Sequence, residues 1–72
     1  MKTYIQDYVQ SYKSVYPHLV DVFANDFAAY LDGKPIQFSK SLTLLAGIYN
    51  PMSDAQTNRT NISYALEVLE AA

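Results

Sequence analysis

The stretch from Pro17 to Leu31, PHLVDVFANDFAAYL, restricts the fold of this chain more than any other segment. Leu19, Val20, Phe23, Ala24, Phe27, Tyr30 and Leu31 recur at the i, i+3, i+4, i+7 spacing of a helix buried along one side. Asp21, Asn25 and Asp32 fall on the opposite side. Pro17 suits the first helical position, because its missing N–H would be unpaired there in any case. Asp32-Gly33 supplies a left-handed stop and Pro35 blocks continuation. The expected helix is 17–32, with Phe23 and Phe27 in the core. His18, the only histidine, lies in its first turn with no companion at a catalytic or ligating spacing.

The chain has 72 residues, half of them hydrophobic, and no cysteine. That is one domain, 1–72, with a marginal core and no disulfide or thiolate metal site to reinforce it. Helix packing, self-association or a partner protein must make up the difference. Seven acidic residues against five basic give a net charge of −2. This argues against a phosphate-backbone binder, which normally presents a basic face. No apolar run reaches membrane-spanning length. Gln6, Asp7 and Gln10 interrupt the start of the chain, so it does not read as a secretion signal. The expectation is a cytoplasmic protein with no membrane association, and the two N-x-S/T sequences at Asn58 and Asn61 are read as chance.

Residues 4–16 predict an amphipathic helix. Tyr4, Ile5, Tyr8, Val9, Tyr12, Val15 and Tyr16 fall in an arc of roughly 140°. Thr3 with Gln6 has the form of a capping box, and Pro17 disfavours helical geometry at Tyr16. The ladder Tyr4, Tyr8, Tyr12, Tyr16 fits a core edge, with rings inside and hydroxyls wet. It also fits a recognition stripe. The core-edge reading is preferred, because aromatic residues at helical spacing generally pack inward.

Ser39 or Ser41 is the expected cap of a third helix, 39–49. Leu42, Leu45 and Tyr49 share one line with Phe38, whereas Leu44 and Ile48 lie further round. The apolar arc is roughly 200° wide, so this helix has to be covered on two sides. It is expected to be either the central helix of the fold or part of an association seam, with Gly47 allowing close approach of a neighbour. After the loop Asn50-Pro51-Met52, Ser53 and Gln56 form a second capping-box pattern and open a final helix, 54–71. Its first half is polar. Ile62, Ala65, Leu66 and Leu69 form its apolar face, with Tyr64 and Val68 off that line.

The expected architecture is therefore all-α: a compact single-domain bundle of four short helices. No glycine-rich phosphate loop, metal-ligand spacing or acid–base constellation is present, so neither enzymatic activity nor a cofactor is expected. A helix-turn-helix reading of Ser41–Tyr49 and Ser53–Leu69 supplies polar groups at the second helix start, but Arg59 is the lone basic residue there. The preferred reading is a small acidic protein-binding module, of the adaptor or inhibitor kind made by bacteria and phages. A DNA-binding regulator and a self-associating structural subunit are the alternatives. The expected partner is another protein, a second copy of the chain, or both. The expected contact residues are Leu44, Ile48, Tyr64 and Val68, rimmed by Asp21, Asn25 and Asp32.

Overall fold

A computed structural model describes residues 2–71. These form α1 (Lys2–Val15), a 3-10 turn (Pro17–Leu19), α2 (Val20–Leu31), α3 (Ser39–Ala46) and α4 (Ala55–Glu70). The all-α class and the four-helix bundle are as expected, and the described residues contain no strand.

The helix boundaries follow local chemistry, with several shifts. Thr3 sits inside α1 rather than capping it. α1 ends at Val15, and Tyr16 leaves helical geometry (φ −126°, ψ 59°) ahead of Pro17, as the steric demand of proline requires. Pro17 opens a 3-10 turn, closed by the Leu19 N–H donating to the Tyr16 carbonyl at 3.0 Å. The α-helix proper therefore begins at Val20. At its other end the Lys34 N–H donates to the Ala29 carbonyl (2.8 Å) and the Gly33 N–H to the Tyr30 carbonyl (3.1 Å), with Gly33 at φ +79°. This is the paired-bond helix stop in which glycine takes the left-handed position at no steric cost.

Two expected caps are replaced. Neither Ser39 nor Ser41 caps α3: extended Phe38 holds that position, without a side-chain bond. Ser41 is instead fully buried on the inner face of α3, and its hydroxyl has no partner. At α4 the cap is Asp54, not Ser53. The Asp54 carboxylate accepts the Thr57 N–H at 2.7 Å, and this bond holds its pKa below the usual aspartate range. α3 also stops at Ala46, short of the expected Tyr49.

The hub of the bundle is α4, which packs against both α2 and α1, while α3 packs on α2. Of the two roles expected for α3, central helix or association seam, this removes the first. Contact on two sides also widens the buried arc of α4. Ile62, Ala65 and Leu69 are buried, and so is Val68. Ile5 and Val9 of α1, Phe23 and Phe27 of α2, Leu44 and Leu45 of α3, and Ile48 just beyond it complete the buried apolar core. Each large side chain withdrawn from water contributes about 1.5–3 kcal/mol. Phe23 sits at the centre of an aromatic group, edge-on to Tyr12 and Tyr16 at 6.1 and 6.4 Å and tilted against Phe38 at 6.5 Å. The tyrosine ladder is continuous, with ring centroids 5.7, 5.2 and 5.9 Å apart. Tyr8, Tyr12 and Tyr16 pack on the core, and Tyr4 is exposed.

Basic side chains tie distant helix ends together. Lys13 Nζ donates to the Val68 and Ala71 carbonyls at the end of α4 (2.8 and 2.9 Å). Arg59 donates to the Leu31 carbonyl at the end of α2 (2.8 Å). Both satisfy carbonyls left open by the last helical turn and place positive charge at the negative end of a helix dipole.

Candidate interaction surface

The wide apolar arc of α3 gives two candidate inner faces, and contacts from outside the helix decide between them. The Tyr4 hydroxyl donates to the Gly47 carbonyl (3.2 Å) and the Tyr8 hydroxyl to the Thr43 carbonyl (3.3 Å). The Tyr8 ring lies directly over Gly47, in the space a side chain there would fill. Burial pushes the pKa of Tyr8 up, with further contributions from Tyr12 and Tyr4. The phenol therefore stays neutral and remains a hydrogen-bond donor. Held this way, α3 and the turn that follows it put Leu44 (0% exposed) and Ile48 (3%) into the core and leave Leu42 (50%) and Tyr49 (42%) in solvent.

The expected contact set is therefore corrected. Leu44, Ile48 and Val68 belong to the chain's own core and offer nothing to a partner. Tyr64 is half-buried. Its hydroxyl donates to Gln6 at 3.4 Å, and the Lys2 ammonium stands 5.3 Å above its ring. The proposed polar rim does not assemble around these residues. Asp21 and Asn25 are exposed near the start of α2 and line a cleft with Val20, Ala24, Leu69 and Glu70. Asp32 lies at the far end of α2, paired with Lys34 at 3.3 Å.

A different surface is left open. Tyr30 and Gly33 at the end of α2, Pro35 and Ile36 in the connection, and Leu42 and Leu45 on α3 line a groove of about 480 Å³. Lys34 is the one charged side chain in its wall. Tyr49 lies three residues beyond the end of α3, and Met52, 91% exposed, follows in the same loop. The signal for this surface is present in the sequence as the surplus width of the α3 arc. Which side of that arc faces solvent depends on Tyr4, Tyr8 and Gly47, whose pairing is not encoded in any local pattern.

The polar start of α4 also has structural partners. Asn58 is buried (3% exposed). Its amide donates to the Asn50 carbonyl (2.8 Å) and accepts the Asn50 N–H (2.9 Å), locking the α3–α4 loop. The Asn50 side chain accepts the Met52 N–H at 2.9 Å, and Gln56 donates to Thr60 at 3.3 Å. All five basic side chains have internal contacts. Lys2 is over Tyr64, Lys13 is at the end of α4, Lys34 is on Asp32, Lys40 lies 4.7 Å above the Tyr16 ring, and Arg59 is at the end of α2.

Among the described residues no three His, Cys, Asp or Glu side chains gather as a metal site. No helix there is long and apolar enough to cross a membrane. No known protein family, curated protein or solved structure matches this chain.

Proposed function

We propose that this protein is a small, non-enzymatic protein-binding module, an adaptor or inhibitor that acts by docking the α2–α3 groove onto a larger protein. The observation that carries the reading is the groove itself: Tyr30, Pro35, Ile36, Leu42 and Leu45 form a contiguous apolar concavity. The half-exposed Leu42 in its wall has no structural duty that demands a leucine. A concave, mostly apolar site with one charged group at its wall is the usual form of a binding site. The basic residues support a protein partner over nucleic acid. Arg59, the lone cation at the start of α4, is turned back onto the Leu31 carbonyl, and counterion release from phosphates requires free cations.

The test is affinity capture from lysate of the encoding organism with wild type and Leu42→Glu side by side. Both proteins should show the same helix content and melting temperature, because Leu42 is outside the core. Proteins retained by the wild type and lost by the variant support the reading. An identical retained set for both, or salt-sensitive retention of nucleic acid alone, contradicts it.

A further inference from the structure

We propose that the occupant of the groove is an extended segment of the partner protein, carrying an apolar anchor next to a carboxylate and pairing its main chain with the Pro35–Phe38 connection. This deepens the binding reading above and depends on it.

The first ground is the backbone of the connection. Its ends are bonded: the Lys34 N–H donates to Ala29, and the Phe38 carbonyl accepts from Ser41 (3.0 Å) and Leu42 (3.2 Å). Between them, the N–H groups of Ile36, Gln37 and Phe38 and the carbonyls of Pro35, Ile36 and Gln37 have no intrachain partner among the described residues. Ile36 and Phe38 are half-buried against the core, whereas Pro35 and Gln37 are exposed. That alternation is the habit of a strand, and Phe38 is extended at φ −93°, ψ 123°. A strand-like segment with free donors and acceptors is a template for another extended chain. A helix docked in the same place leaves these groups unused, because its own backbone is already paired.

The second ground is charge. Lys34 is the only charged residue lining the groove. Its bond to Asp32 joins two side chains that are each 70% exposed, so the pair is weak. The ammonium has further donor capacity, and no carboxylate lines the groove to receive a cation. The exposed ammonium, held only by Asp32, can also bond an acidic residue beside the anchor. Tyr30, Ile36 and Leu42 receive the anchor, over a floor made by buried Leu45.

The test uses a displayed library of random linear peptides about seven residues long, enough to span the connection as a strand. It is panned in parallel on wild type, Leu42→Glu and Lys34→Glu, with folding of each checked by circular dichroism. Wild type should enrich peptides in which an apolar residue adjoins Asp or Glu. The synthetic consensus should bind Leu42→Glu about tenfold more weakly or worse, and N-methylation beside the anchor should cost a similar factor. The acidic preference should vanish on Lys34→Glu, with Lys34→Gln as the substitute if that variant is unfolded. No enrichment, enrichment of Lys or Arg, or indifference to N-methylation overturns this proposal even where capture from lysate remains sensitive to Leu42→Glu. Consensus binding that survives Leu42→Glu overturns the groove reading as well. A wild-type dimer that Leu42→Glu dissociates makes a second copy the occupant and also overturns the proposal.

Discussion

The ring of Tyr8 occupies the place where a side chain at Gly47 would begin, and this contact joins the first helix to the end of the third. Gly47 has an ordinary helical backbone (φ −76°, ψ −11°), so its role here is to leave space rather than to supply an unusual conformation. Gly47→Ala should destabilise the protein by about 1–3 kcal/mol through overpacking, more than the helix preference of alanine returns. In a Tyr8→Ala background the same substitution should cost almost nothing. A double-mutant cycle on melting or denaturant midpoints checks the coupling. Additive effects would show that the two residues do not meet.

Ser41 carries a buried hydroxyl without a partner. Removing a lone unsatisfied polar group gains back its desolvation cost, and alanine is the better helix former. Ser41→Ala should therefore stabilise the protein by about 1 kcal/mol, read as a raised denaturant midpoint at unchanged slope. A destabilised variant would mean that the hydroxyl is bonded in solution.

Asn58 fastens the loop between α3 and α4 through both the N–H and the carbonyl of Asn50. Asn58→Ala leaves the partly buried Asn50 N–H unpaired, at about 1–3 kcal/mol before relaxation, while the Asn50 carbonyl keeps the Ser53 N–H (3.0 Å). Chemical denaturation should show a loss within that range, and hydrogen exchange should speed up first in residues 50–54. Unchanged exchange there would contradict the clasp.

Asp54 caps α4, and its bond from the Thr57 N–H lowers its pKa in the folded state. A group with a depressed folded pKa stabilises the protein above its ordinary pKa, and that contribution is lost as pH falls through the folded value. Asparagine caps equally well without a charge. The melting temperature of Asp54→Asn should therefore fall less steeply than that of wild type on the acid side. Parallel profiles for the two proteins would refute the assignment.

The parts of the fold legible in the sequence are those with local causes. Phe23 and Phe27 mark the inner face of α2 because their period is helical and both ends carry stop signals, Pro17 and Gly33. Tyr8, Tyr12 and Tyr16 pack at the core edge for the same reason, and Tyr4 is exposed. The parts not legible are set by partners far along the chain. Asn58 reads as one more polar residue in a polar stretch, yet it continues the Ile62, Ala65, Leu69 stripe by one turn and is buried. Lys13 and Arg59 look like surface charges until their carbonyl partners, Val68 and Leu31, come within reach. The candidate surface is legible only in part. The arc of α3 is too wide for one neighbour, but its rotation depends on hydroxyls from Tyr4 and Tyr8 in another helix. Leu44 and Ile48 therefore face the core, where the width of the arc alone allows them to face outward.

That rotation is the central claim, because it decides which residues a partner can meet. The chain contains no cysteine, so a single thiol can report on either side of α3. Leu42→Cys and Leu44→Cys are made separately, and each is labelled with a thiol reagent under native conditions. Leu42→Cys should react at nearly the rate of an unfolded peptide. Leu44→Cys should be protected, reacting only through opening of the structure and so more slowly by about a hundredfold or more. Fast labelling at position 44 with protection at position 42 would reverse the inner and outer faces of α3 and contradict the account.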